Sequence, residues 1–104
     1  MRKEKTIKID EREIVVHELT VKEIGELMNP DENQKISTID MLFGQEVTAT
    51  AIAKATGLEI EDMEENFSPS DIKLIVDTMK ELNAFFFDMT ARLVGAASAL
   101  PLKQ

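Results

Sequence analysis

The segment from Ser68 to Ala97 constrains the fold more than any other part of the chain. Ser68-Pro69-Ser70-Asp71 combines a serine at the N-cap, proline at the first helical position and a carboxylate in the first turn, the chemistry of a helix start. No proline follows until Pro101. Over that stretch Ile72, Ile75, Met79, Leu82, Phe86, Met89 and Leu93 recur at alternating spacings of three and four residues, a heptad seam. This predicts one long C-terminal helix over 69–97. Within it, "NAFFFDM" places Phe85, Phe86 and Phe87 in succession. Side chains on a helix advance by about 100° per residue, so Phe86 joins the seam while Phe85 and Phe87 point about 200° apart, one to either side. A surface helix of a small domain has one apolar stripe to bury. This helix therefore carries more apolar surface than a small remainder of chain comfortably covers.

That remainder is short. A chain of 104 residues makes one domain, with a modest core. Its first residues alternate: Thr6-Ile7-Lys8-Ile9 and Glu13 to Leu19 are β-rich runs around Asp10-Glu11-Arg12, which predicts an antiparallel hairpin over 5–19. Two strands are marginal alone, so the hairpin must lie on helices or on a second copy of itself. Thr20-Val21-Lys22-Glu23 has the form of a capping box and opens a short helix over 20–28, with Val21, Ile24, Leu27 and Met28 on one side. Residues 29–36 read as a loop. Further short helices are expected over 37–43, 46–56 and 59–65. Gly57 stands where a left-handed C-terminal cap belongs, and Ala49, Ala51, Ala53 and Ala55 allow close approach of a neighbouring element. The expected class is α+β: an N-terminal hairpin, short helices, then the long helix.

Catalytic chemistry has few materials here. There is no cysteine, tyrosine or tryptophan, and the one histidine, His17, sits inside a strand, where a hydrogen-bonded strand residue is the ordinary reading and a general base the special one. The glycines are isolated, so neither a P-loop nor a dinucleotide fingerprint exists, and no cofactor is expected. Glu59, Glu61, Asp62, Glu64 and Glu65 put five acids within seven residues, but without the alternating ligands and central glycine of a calcium loop. They read as a solvated acidic face, or as a patch for a basic partner. The stretch "AIAKATGLEIEDMEEN" has the cadence of a helix-turn-helix. Its second helix, however, carries those five acids and no lysine or arginine, and the whole chain has a net charge of −8. Phosphates would be repelled, so nucleic acid is not an expected partner. The start "MRKEKTIKID" lacks the apolar core of a signal peptide, and no apolar run reaches the length of a membrane span, which leads to the expectation of a cytoplasmic protein.

The order of these pieces resembles a known family. "TIKID…EIVVHELTVKEIGEL", "AIAKATGL", "IEDMEENFSPSDI" and "VDTMKELNAFFFDM" together resemble the small tail assembly chaperones of long-tailed bacteriophages and prophages, especially the contractile-tailed, Mu-like and P2-like phages. The likeness is one of layout over most of residues 5–94, strongest at Ala53–Leu58, Ser68–Ile72 and Asn83–Phe87. It implies an adaptor in the bacterial host cytoplasm that binds the tape measure protein, or the tail tube protein, before the tube polymerises, and that needs no cofactor. Under that implication Phe85, Phe86, Phe87, Met79, Leu82, Met89 and Leu93 are the candidate contacts for a client or for a second copy, a homo-oligomer being expected. The alternatives are a regulatory module that caps a basic partner through the acidic 59–71 region, and a plain structural dimer.

Overall fold

A computed structural model describes residues 2–29 and 35–99, with side chains as far as Arg92. Residues 30–34 of the expected 29–36 loop, and Pro101, lie outside the described residues. The α+β class is as expected: strands β1 (Glu4–Ile9) and β2 (Arg12–His17) precede helices α1 (Val21–Leu27), α2 (Thr38–Phe43), α3 (Ala49–Thr56), α4 (Ile60–Asn66), α5 (Pro69–Leu82) and α6 (Ala84–Ala99).

The strands pair antiparallel across the two-residue turn Asp10-Glu11, with Ile9 opposite Arg12 and Ile7 opposite Ile14. Asp10 takes φ 55°, a left-handed conformation that aspartate tolerates better than most residues. Because side chains alternate across a strand, Ile7, Ile9, Ile14 and Val16 share one face. That face lies on α3 and α5. Ile9, Ile14 and Val16 are buried there, while Ile7 is half-buried.

Helix α3 is the hub of the fold, packing on β2, α1, α2, α4 and α5. Its alanines explain how: Ala49, Ala51 and Ala55 are buried beside the fully enclosed Ile52, and side chains this small let several neighbours come close. Thr48 caps its start by accepting the Ala51 N–H at 3.2 Å. Gly57 ends it at φ 75°, in the left-handed region that glycine enters without a Cβ penalty. Helix α4 follows after three residues, packs on α3 and turns Met63 fully into the core.

The capping boxes at Thr20/Glu23 and Ser37/Asp40 are both formed and fix the starts of α1 and α2. The apolar side proposed for α1 is only partly used. Ile24 and Leu27 pack against the core, whereas Val21 and Met28 face solvent.

The one long helix over 69–97 is corrected to two. Helix α5 starts as expected, with Ser68 Oγ accepting the Asp71 N–H and the Asp71 carboxylate accepting the Ser68 N–H. It stops at Leu82, because Asn83 leaves the helical region at φ −124°, ψ 47°. The side chain of Asn83 holds that break in place. Its Nδ2 donates to the Met79 carbonyl at 2.9 Å, closing the end of α5, and its Oδ1 accepts the Leu19 N–H at 2.7 Å, tying the break to the segment between β2 and α1. Both bonds are buried, where an unpaired amide is costly.

Candidate interaction surface

The break at Asn83 decides what each residue of the apolar seam touches. On α5, Ile72, Ile75, Val76 and Met79 are buried against the hairpin and α3, and Leu82 is half-buried. The α5 part of the seam is thus the centre of this chain's own core, and Met79, a candidate contact, is fully enclosed in it. Helix α6 restarts in a new frame. Phe86 plugs into the core with 7% of its surface exposed, whereas Phe85, one residue earlier, is 86% exposed. Phe87 lies between these extremes, half-buried, with its ring edge-on to that of Phe86 at 5.3 Å between centroids and 85° between planes. Such T-shaped pairs add about 0.5–1.5 kcal/mol to what burial itself contributes. Met89 is half-buried, and the side chain of Leu93 lies outside the described residues.

Of the candidate contacts, Met79 and Phe86 are therefore core residues. Leu82, Phe87 and Met89 border the core, and Phe85 stands free. Helix α6 is apolar in composition, with Asp88 and Arg92 its only charged residues among sixteen. Its principal neighbour in the fold is the end of α5. An apolar helix with a phenylalanine directed to solvent is, among the described residues, a surface suited to a further partner.

The acidic cluster divides in the same way. The Asp62 carboxylate accepts both ends of the Arg12 guanidinium, at 2.7 and 3.1 Å, and also accepts the Asn66 amide at 2.7 Å. Arg12 in turn lies 5.1 Å above the Phe67 ring. The hydrogen bonds donated by Arg12 and Asn66 hold the Asp62 carboxyl below the usual carboxylate range, and donating to that carboxylate holds Arg12 yet more firmly protonated. Glu64 accepts the Thr38 N–H at the start of α2, at 3.0 Å. Two of the five acids thus brace α4 against the hairpin and α2. Glu59, Glu61 and Glu65 remain as an exposed fringe. Among the described residues, no group of three or more histidine or acidic side chains is placed to hold a metal ion. His17 is half-buried in β2, its Nδ1 3.2 Å from the Glu4 carboxylate opposite it.

A second apolar area, not expected from the sequence pattern, lies around α2, where Ile36, Met41 and Leu42 are largely exposed. Leu42 borders a groove of about 290 Å³ lined also by Ile39, Met63, Phe67, Pro69 and Ile72. The spacing of Ile36, Ile39, Leu42 and Phe43 gave the signal, but only Ile39 is buried and only Phe43 of the others packs against the core.

Among the described residues, no helix is long and apolar enough to cross a membrane. In comparisons with known proteins, no family model, curated protein or solved structure matches the chain.

Proposed function

We propose that this protein is a non-catalytic assembly chaperone of a bacteriophage tail, working in the host cytoplasm. It holds an apolar stretch of the long, helical tape measure protein, or of the tail tube protein, until the tube polymerises. The observation that carries the reading is the contrast along α6: Phe86 anchors the helix in the core, while the adjacent Phe85 is 86% exposed on a helix with two charged residues in sixteen. An anchored apolar helix can shield a client helix by laying one face against another, as in groove-and-helix recognition. The net charge of −8 keeps such a complex apart from its neighbours and in solution. The resemblance in layout to tail assembly chaperones supports the identity of the client.

The test is a pull-down of the tagged protein from cells in which the source prophage has been induced, with the bound proteins identified by mass spectrometry. At about 0.5 M salt, where the Debye length is roughly 4 Å, surface charge pairs are screened and apolar contacts persist. Recovery of the tape measure or tube protein under that wash is the expected result. Recovery of only a basic protein, released by the salt, would replace this reading with an acidic cap acting through Glu59, Glu61 and Glu65.

A further inference from the structure

Among the described residues the outer edge of β1 is open, the sheet being two-stranded, β1 and β2. Its backbone direction follows from one bond: the Lys3 carbonyl accepts the Glu18 N–H at 2.7 Å, so Lys3 faces β2. In an antiparallel ladder, inward and outward backbone groups alternate. Lys5, Ile7 and Ile9 therefore also face β2, while the N–H and C=O groups of Glu4, Thr6 and Lys8 point outward. Exposed strand edges of this kind are templates for another strand.

We infer that the occupant of this edge is a second copy of the chain, paired β1 to β1 in antiparallel fashion about Thr6. In that register Glu4 meets Lys8 of the second copy, Lys8 meets its Glu4, and Thr6 meets its Thr6. All three outward-facing residues are used, giving about six new backbone hydrogen bonds.

The charges fit this register and no neighbouring one. Within one chain the side chains of Glu4, Thr6 and Lys8 stand on the solvent face of the hairpin, opposite His17, Val15 and Glu13 respectively. Joining two hairpins continues these pairs into rows of four. One row reads Glu13, Lys8, then Glu4 and His17 of the second copy, with unlike charges adjacent at Glu13–Lys8 and at Lys8–Glu4. Its symmetry mate flanks a central row of Val15, Thr6, Thr6 and Val15. A shift of the register by two residues would set Glu4 against Thr6 and Lys8 against Arg2 in one direction, or Glu4 against Asp10 in the other, and the alternation would be lost. Unlike charges, and threonine pairs, directly opposite each other stabilise a sheet, and like charges destabilise it.

The face toward the helices fits as well. Lys5 comes opposite Ile7 of the second copy, and its ammonium is already directed at Glu81 on α5, 2.9 Å away. The aliphatic stem of Lys5 then covers the half-buried Ile7. The area involved is small, so the dimer is a weak and reversible one. The edge lies on the hairpin and the client surface on α6, so self-association and client binding occupy different parts of the molecule.

Sedimentation velocity on the full chain, from about 10 to about 500 µM, tests this. The wild type is expected to pass from monomer to dimer over that range. Lys8→Glu and Glu4→Lys, each creating like-charge pairs at both ends of the joint, are expected to weaken the dimer about tenfold. Combining the two swaps should restore it. Thr6→Pro removes the central outward N–H without touching the ladder to β2, and should abolish the dimer. Far-UV circular dichroism of each variant reports that it is folded, and the slowing of amide exchange at Glu4, Thr6 and Lys8 with concentration reads the joint in the wild type itself. A wild type that stays monomeric, or a dimer indifferent to Thr6→Pro and to the single swaps, would overturn the inference.

Discussion

Replacing Asn83 by alanine removes the device that divides the C-terminal segment in two. Two buried hydrogen bonds disappear: Oδ1 to the Leu19 N–H at 2.7 Å and Nδ2 to the Met79 carbonyl at 2.9 Å. Leu19 is 5% exposed, so its N–H is left without water as well as without its partner. An unsatisfied buried amide costs about 1–3 kcal/mol, and loss of the second bond roughly 0.5–1.5 kcal/mol. Alanine favours helix over asparagine by about 0.6 kcal/mol, which offsets part of the loss only where residue 83 becomes helical. Becoming helical would swing α6 out of its frame and withdraw Phe86 from the core, so that gain is not available without a larger loss. The net expectation for Asn83→Ala is about 2–3 kcal/mol of destabilisation, which for a domain of this size lowers Tm by roughly 10–15 °C. Urea unfolding followed by far-UV circular dichroism, with a thermal scan beside it, measures both quantities. A variant within about 0.5 kcal/mol of the wild type, the range of a neutral surface change, would refute the claim that Asn83 fixes the break.

Other expectations follow from neighbouring features. Phe86→Ala should cost about 3 kcal/mol by emptying a core position, while Phe85→Asp should leave stability within about 0.5 kcal/mol; equal losses in denaturant titrations of the two would show that Phe85 is packed. Gly57→Ala should cost about 1–2 kcal/mol by the same measurement. An added Cβ at residue 57 meets nothing within 4 Å, so the cost there is the left-handed backbone alone, and a silent substitution would mean the α3–α4 turn relaxes freely. The folded-state pKa of Asp62 lies below its unfolded value, so its contribution to stability is present above the ordinary carboxylate range and is lost as pH falls through the lowered folded value. Asp62→Asn should therefore be less stable than the wild type near neutrality, and the gap should narrow in acid. A gap that stays constant from pH 7 down to about pH 2 would show that the Arg12 pairing is not linked to folding.

The parts of the fold carried by short-range chemistry were legible in the sequence. The Thr20/Glu23 box, the Ser68-Pro69 start and Gly57 each act through groups a few residues away, and each stands where local rules put it. The hairpin followed from alternation, although its turn is two residues long because Arg12 joins β2. Asn83 was not legible as a break. Its partner Leu19 is distant in sequence, and the seam of Ile72, Ile75, Met79, Leu82, Phe86 and Met89 continues across it without a change of spacing. Periodicity reports which residues are apolar and not whether one helix axis carries them all. The same limit applies to the candidate surface. Phe85, Phe86 and Phe87 are chemically identical, and only the three-dimensional frame set by Asn83 separates the core residue from the exposed one. The acidic cluster read as a single patch because its cation, Arg12, comes from the turn end of the N-terminal hairpin, 50 residues away in sequence.

If the protein works as proposed, Phe85 on α6 faces the client. The most direct measurement places a photo-crosslinking amino acid at position 85, and separately at Glu65 in the acidic fringe, and irradiates the protein in cells making the phage tail. The tape measure or tube protein is expected to be joined to position 85 and not to position 65. Joining at position 65 alone, or at neither position while the tail assembles normally, would contradict it.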